Sequence, residues 1–232
     1  MKTMIAMCGG LLLCAGATAI SAEMSSSEAK RLSDAATVVR EFRTVPDKGI
    51  PDDLWSRAEC VAVIPGLKKA AFIIGGEYGK GVMSCRMGRG WSAPLFVEME
   101  KGSAGFQIGA EQIDLVLLMI NREGVDKLLH DKVTLGADAS VAAGPVGRAA
   151  TAGTDGRLSA AMLAYSRAQG VFAGIDISGG VLRPDKDANA GAYGKSVANR
   201  DVLAKPDSAA PPAAQAFLRT LGEQSRATTG QQ

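Results

Sequence analysis

The chain has 232 residues, of which 47% are hydrophobic and 22% are charged, and its formal net charge is +2 at pH 7. This length suits one substantial domain with its own core, and this composition excludes wholesale disorder. A net charge this close to zero does not indicate any class of binding partner, and we expect no nucleic-acid ligand.

The first residues, MKTMIAMCGGLLLCAGATAISAE, place one lysine before a short apolar run that is followed by small residues. This order is typical of a secretory signal peptide. We predict a signal peptide over residues 1–22, cleaved after Ala22, with Ala19 as the alternative. An uncleaved membrane anchor is the competing interpretation, which the short run and its glycines disfavour. The mature protein is therefore expected to be periplasmic or secreted.

The segment SSSEAKRLSDAATVVREFRTVP predicts an amphipathic helix over residues 25–44. Ser25 and Glu28 have the spacing of a capping box, and apolar residues follow at helical intervals until a proline ends the pattern. Its mixed charges and narrow apolar face favour packing on its own domain over membrane attachment. A second short helix is predicted from Pro51.

From residue 60 to 120 short β-branched runs alternate with glycines, as in CVAVIP, AAFIIGG, GVMSCR, WSAPLFVEME, GFQIGAE and IDLVLLMI. Such runs predict strands joined by tight turns, and glycines inside strands mark bends or places where another backbone comes near. A helix with Val125, Leu128 and Leu129 on one side interrupts this pattern. Strand-like segments then resume, with a hairpin-turn candidate at residues 154–156.

The end of the chain is rich in alanine and proline, and PPAAQAFLRTLGEQ predicts a final helix over residues 211–223. Residues 224–232 are expected to be disordered. The segments together predict an α+β fold: a single domain with a curved, mostly antiparallel, Gly-rich β-sheet or partial barrel, flanked by N-terminal, middle and C-terminal helices. The β-rich body is expected over residues 60–194, within a domain of residues 23–222.

Two cysteines, Cys60 and Cys85, remain once the predicted signal peptide is removed. In an oxidising, exported compartment an even pair favours a disulfide. Two buried thiols are the alternative.

No sequence pattern supports a catalytic, metal or cofactor site, and we predict none. His130 is the single histidine, and no nucleophile elbow G-x-S-x-G occurs. The segment GGEYGKG at 75–81 fails the phosphate-loop spacing and is interpreted as a glycine-rich β-turn. The segment DKDANAG at 185–191 departs from the calcium-loop pattern, so a capped turn leading into a short helix is favoured. Glu111 and Asp114 are the best acidic candidates for an enzyme, and we interpret them as turn or edge-strand residues.

Basic side chains outnumber acidic ones by three between residues 57 and 101. Each cation near an anionic membrane contributes about 1 kcal/mol, so this excess predicts weak attachment. The helix from Ser25 to Arg43 is expected to assist as a second face. The predicted lipid-binding residues are Lys68, Lys69, Lys80, Arg86 and Arg89.

Several segments carry a resemblance to a known family: CVAVIPGLKKAAFIIGGEYGKGVMSCR, GWSAPLFVEME, FQIGAEQIDLVLLMIN, LGADASVAAGPVGR, AYSRAQGVFAGIDISGGVLRPD and ANAGAYG. They agree with that family in order and spacing from about residue 25 to 222. The sequence resembles the SYLF domain family, most closely its exported bacterial branch, whose members are described as lipid-binding SYLF domain-containing proteins.

Relatives in animals and fungi couple a similar domain to SH3 or FYVE modules, bind phosphoinositides and, in some cases, bundle actin. The resemblance therefore implies a non-enzymatic, lipid-binding domain. We find no SH3 or FYVE pattern in this sequence, so we expect only a general affinity for anionic phospholipids or a membrane surface to carry over. The alternative is a structural or interaction protein of the envelope that binds a protein partner.

Overall fold

The structure is a computed structural model, and it describes residues 24–43, 49–71, 74–88, 90–104, 109–145 and 160–229. The predicted signal peptide at 1–22 and the hairpin-turn candidate at 154–156 lie outside the described residues.

Six α-helices and ten strands occur along the described part of the chain. The helices are α1 (Ser26–Arg43), α2 (Asp52–Arg57), α3 (Glu123–His130), α4 (Lys186–Tyr193), α5 (Asn199–Leu203) and α6 (Gln215–Thr229). The strands are β1 (Cys60–Ala71), β2 (Ile74–Met87), β3 (Gly90–Trp91), β4 (Leu95–Ala104), β5 (Gly109–Met119), β6 (Val133–Thr134), β7 (Val141–Ala143), β8 (Met162–Ala168), β9 (Val171–Gly174) and β10 (Val181–Pro184).

All ten strands belong to one sheet, in which neighbours follow the order β6-β10-β4-β2-β1-β5-β8-β7. Strand β3 is attached to β2, and β9 is attached to β8. Every pairing is antiparallel except that of β7 with β8. The sheet curls into a half-barrel. The predicted α+β fold, a single domain with a curved and mostly antiparallel sheet, is thus confirmed.

A bulge in β1 replaces a predicted turn. The register with β2 shifts between Val63 and Lys68, and Gly66 has a φ of 60°. The Gly66 N–H donates to Asp114 Oδ1 over 2.9 Å. This hydrogen bond satisfies the main-chain amide that the bulge leaves unpaired, so the chain continues within the sheet. The prediction that CVAVIP ends at a tight turn is therefore wrong. Asp114, predicted at a turn or an edge, pairs with Arg167 of β8 inside the sheet. Glu111 pairs with Lys69 of β1 and lies before the part of β5 that pairs with β8.

The glycine-rich segment at 75–81 is also not a turn, since all of it lies within β2. A Cβ on Gly81 would lie 2.2 Å from the Val63 carbonyl oxygen and 2.9 Å from Ile64 Cα. The missing side chain therefore lets the bulged part of β1 press closely on β2. The expectation that strand glycines mark close backbone approach is confirmed at this position.

Helix α1 begins with the predicted capping box. Ser25 N–H donates to Glu28 Oε2 over 2.7 Å, and Glu28 N–H donates to Ser25 Oγ over 3.4 Å. The apolar side of the helix, with Leu32, Val39 and Phe42, is buried in the core. The helix therefore packs on its own domain, as its mixed charges predicted, and this apolar side does not face solvent.

Two other predicted helices form where expected. Helix α2 follows Pro51 and buries Leu54 and Trp55. Helix α3 buries Val125 and Leu128 against the sheet. No helix in the described ranges is both long enough and apolar enough to span a bilayer.

The final helix differs from its prediction at both ends. A short 3₁₀ turn precedes it, and α6 runs from Gln215 to Thr229, into the segment 224–232 that was expected to be disordered. Its first turns are anchored by the buried Phe217 and Leu221. Once these first turns have formed, each further residue of the helix adds one hydrogen bond, so extension costs less than starting a helix. This explains why α6 is longer than predicted.

Candidate functional site

Cys60 and Cys85 lie directly opposite each other on β1 and β2 and are joined by a disulfide with a sulfur–sulfur distance of 2.01 Å. The predicted pairing is confirmed. Both cysteines are buried, so the bridge belongs to the core of the sheet.

A groove of about 310 Å³ lies between α1 and the adjacent parts of β1 and β2. We call it the α1 groove. Cations from all three elements line it: Lys30 and Arg31 from α1, Lys68 from β1 and Lys80 from β2. Asp34 is the acidic residue among its described lining, and its carboxylate pairs with Lys30 over 2.6 Å.

A buried carboxylate organises two of these cations. Asp185 has a side chain that is 5% exposed, and its Oδ2 accepts hydrogen bonds from Arg31 Nη1 over 3.0 Å and from Lys80 Nζ over 2.9 Å. The other oxygen, Oδ1, accepts from the Ala188 N–H and caps the start of α4. The prediction of a capped turn leading into a short helix is confirmed.

The charge state of Asp185 follows from these contacts. Burial by itself raises its pKa, but the hydrogen bonds from Lys80, from the Ala188 N–H and from Arg31 outweigh burial and lower the pKa overall. The hydrogen bond to Asp185 in turn raises the pKa of Lys80. Both partners are therefore held in their charged forms.

Lys68 is an exposed cation of the α1 groove. Its side chain is exposed, and we find no hydrogen bond or ion pair for it within the part of the chain that the structure describes. It lies opposite Tyr78 on β2, whose side chain is 43% exposed and whose hydroxyl donates to Glu98 over 3.0 Å. An uncompensated positive charge thus lies beside an amphipathic ring at the groove.

Lys69 points away from the α1 groove, because successive side chains of a strand lie on opposite faces. Its Nζ lies 3.7 Å from Glu77 Oε1, and its side chain is 27% exposed. Of the two neighbouring lysines in the predicted site, the structure therefore brings only Lys68 to the groove.

Arg86 lies at the other end of β2 and is half-buried. Its Nε donates to the Ala58 carbonyl over 2.8 Å, and its Nη2 donates to the Trp55 carbonyl over 2.7 Å. Its guanidinium also lies 4.7 Å from the ring centre of Trp91. Arg86 therefore satisfies carbonyls at the end of α2 and lies apart from the groove. Arg89, the last of the predicted lipid-binding residues, lies outside the described residues.

A second depression of about 430 Å³ adjoins the α1 groove and shares Lys80 with it. It combines both signs of charge. Its charged lining residues are Lys80, Lys132, Arg183, Lys186, Glu98, Asp131, Asp185 and Asp187. Since these charges largely offset one another, the α1 groove is the more cationic of the two.

Sequence reasoning missed Arg31 and Asp185 as parts of the site. Arg31 lies on α1, and its partner Asp185 lies 154 residues further along the chain. No local spacing links such residues. The cap spacing around Asp185 was visible in the sequence, but only the fold shows that its second oxygen faces the groove cations.

Comparison with known proteins identifies the family. Residues 100–224 match the Ysc84 family, which is described as "Las17-binding protein actin regulator". The chain is 35% identical over 204 residues to Protein YSC84 of Saccharomyces cerevisiae, covering 84% of this chain and 42% of that protein. It is 35% identical to LAS seventeen-binding protein 3 of Saccharomyces cerevisiae, covering 75% of this chain and 39% of the relative.

Human SH3 domain-containing YSC84-like protein 1 is 34% identical to the chain, with 76% of this chain and 53% of the relative covered. The chain therefore spans about half or less of the length of these relatives. It belongs to the Ysc84, or SYLF, domain family, which confirms the resemblance drawn from the sequence. Its assignment to the exported bacterial branch stays a prediction.

Proposed function

We propose that this protein is an exported, non-enzymatic domain that attaches peripherally to anionic membranes or to lipid headgroups through the α1 groove. The observation that carries this proposal is the convergence of cations from α1, β1 and β2 on one groove. Among the five predicted residues, the geometry favours Lys68 and Lys80.

The expected attachment is weak and reversible. Each lysine or arginine near an anionic surface contributes about 1 kcal/mol. Lys30 is paired with Asp34, and Arg31 and Lys80 share Asp185, so only part of the positive charge in the groove acts on a ligand. Salt screens such exposed charges, and binding should weaken as ionic strength rises.

Tyr78 suits the edge of a membrane-facing groove. An exposed tyrosine combines an apolar ring with a polar hydroxyl, which matches the border between headgroups and acyl chains. Its exposed ring and the neighbouring Lys68 would give one apolar and one charged contact to the same lipid.

Export to the periplasm or the cell exterior is part of the proposal. The bridged pair Cys60–Cys85 supports it, because disulfides persist in oxidising compartments. Determination of the N-terminus of the protein recovered outside the cytoplasm tests this point. A chain that keeps residues 1–22 and remains in the cytoplasm would contradict it.

Vesicle co-sedimentation tests lipid binding. The protein should pellet with phosphatidylglycerol-containing vesicles and remain in solution with pure phosphatidylcholine. Lys68→Ala should weaken binding about fivefold, which corresponds to about 1 kcal/mol for one lost cation. Lys69→Ala is the matched control, since it removes the same charge from the opposite face and should have less than half that effect. Equal pelleting with both lipids would refute the proposal.

A protein partner is the second candidate function, and the names of the relatives favour it. Two of them are named for binding LAS seventeen or for an SH3 domain, and the family description names an actin regulator. An envelope structural or interaction role would then use the curled domain as a docking surface. Cross-linking in the native compartment should yield a complex with one defined protein partner, and the complex should persist after lipids are removed. If no such complex forms, the protein-partner candidate is refuted.

A further inference from the structure

We infer that Asp185 is an internal anion that competes with the ligand for the cations of the α1 groove and thereby sets its affinity. This inference rests on the proposed function, because it concerns the same groove. It assigns a role to a residue that no sequence motif marks as part of a lipid site.

One carboxylate oxygen already accepts hydrogen bonds from two of the groove cations. Asp185 Oδ2 lies 3.0 Å from Arg31 Nη1 and 2.9 Å from Lys80 Nζ, and both of these cations line the α1 groove. A phosphate oxygen meets basic side chains at the same distances and with the same hydrogen-bond chemistry. A phosphorylated headgroup that reaches these two cations therefore has to share them with Asp185.

The two cations differ in how easily a ligand can claim them. The Arg31 side chain is 10% exposed, and its guanidinium lies 5.3 Å from the ring centre of Phe96. The Lys80 side chain is 44% exposed and flexible, so it can turn from Asp185 towards the groove. Lys80 is therefore the cation that a ligand gains, and Asp185 is what the ligand must outcompete.

The first test neutralises the competitor. Asp185→Asn keeps an oxygen that can accept from the Ala188 N–H, so the cap of α4 is retained. Its dissociation constant for phosphatidylglycerol-containing vesicles should fall about fivefold, because one more cation becomes available. Asp201→Asn on α5 is the matched control, since it changes the net charge equally at an exposed site and should change affinity less than twofold.

Asp185→Asn removes the charged partner of the buried Arg31, which destabilises the fold. The second test therefore keeps Asp185 and changes Lys80. If Asp185 holds Lys80 back, Lys80→Ala in the parent protein should weaken vesicle binding less than Lys68→Ala does. Thermal unfolding of each variant verifies that it is folded.

The outcomes separate the inference from the proposed function. The competition by Asp185 is refuted if folded Asp185→Asn binds vesicles no more tightly than Asp201→Asn. It is also refuted if Lys80→Ala weakens binding as much as Lys68→Ala. In both cases the proposed lipid binding is unaffected. If the parent protein does not distinguish phosphatidylglycerol from phosphatidylcholine vesicles, the proposed function itself fails.

Discussion

The middle and the C-terminal end of strand β2 use basic residues in opposite ways. At the C-terminal end, which we call the closed end, Arg86 donates to the carbonyls of Trp55 and Ala58 and lies over the Trp91 ring. At the middle of the strand, which we call the open middle, Lys80 is 44% exposed and lines the α1 groove. Both residues occupy the same strand, but Arg86 is held by main-chain carbonyls, whereas Lys80 faces the groove.

The difference lies in what surrounds each cation. The closed end offers main-chain carbonyls at the end of a helix, and these are strong and fixed acceptors that favour a cation. Burial there lowers the pKa of Arg86, although a guanidinium stays protonated at neutral pH. The open middle offers one buried carboxylate for two cations. A basic residue thus contributes to stability or to binding according to how many acceptors the fold directs at it.

The largest expected effect comes from removing the cation of the closed end. Arg86→Ala deletes two charge-assisted hydrogen bonds and leaves two carbonyls without this donor, so the free energy of unfolding should fall by about 3 kcal/mol. Denaturant unfolding measures this, and vesicle binding of the folded protein should be unchanged. Arg57→Ala, at an exposed site on α2, is the control and should change stability by less than about 0.5 kcal/mol. Equal losses in both variants would contradict the structural role of Arg86.

A smaller loss is expected from a methyl group added at Gly81, beside the bulge that faces the open middle of β2. Gly81→Ala places a Cβ 2.2 Å from the Val63 carbonyl oxygen, so the strands must shift, and the free energy of unfolding should fall by about 2 kcal/mol. Gly102→Ala on β4 is the matched control, because its Cβ would meet nothing within 4 Å. If the two alanine variants unfold at the same denaturant concentration, the close approach of β1 and β2 is not what requires glycine.

The smallest expected effect concerns acid. The pKa of Asp185 is lower in the folded protein than in the unfolded chain, so its contribution to stability is complete above about pH 4 and is lost as the pH falls through the folded value. Below pH 4 the unfolding free energy of the parent should fall more steeply than that of Asp185→Asn, by at most about 1.4 kcal/mol per pH unit. Identical slopes for the parent and Asp185→Asn would show that the carboxylate is not stabilised in the fold.

Local patterns predicted much of the fold. The capping box of Ser25 and Glu28, the short helix after Pro51 and the cysteine pair all appear in the structure as expected. Each rests on interactions between neighbouring residues or on a simple chemical rule. Patterns around glycine were less reliable, because glycine permits a turn, a bulge and a close contact alike. The pattern at 75–81 therefore predicts a turn, although the segment lies inside β2.

The sequence by itself determined the class of fold, the family and the helix that packs on the sheet, because these follow from hydrophobic periodicity and from ordered motifs. It also indicated a basic segment, but it did not indicate which of the basic side chains line the same groove. Only the tertiary structure decided that Lys68 faces the groove while Lys69 does not, and that Arg31 and Lys80 share Asp185. Strand register and the curl of the sheet determine which of these side chains come into contact. Both arise from packing between residues far apart in the chain.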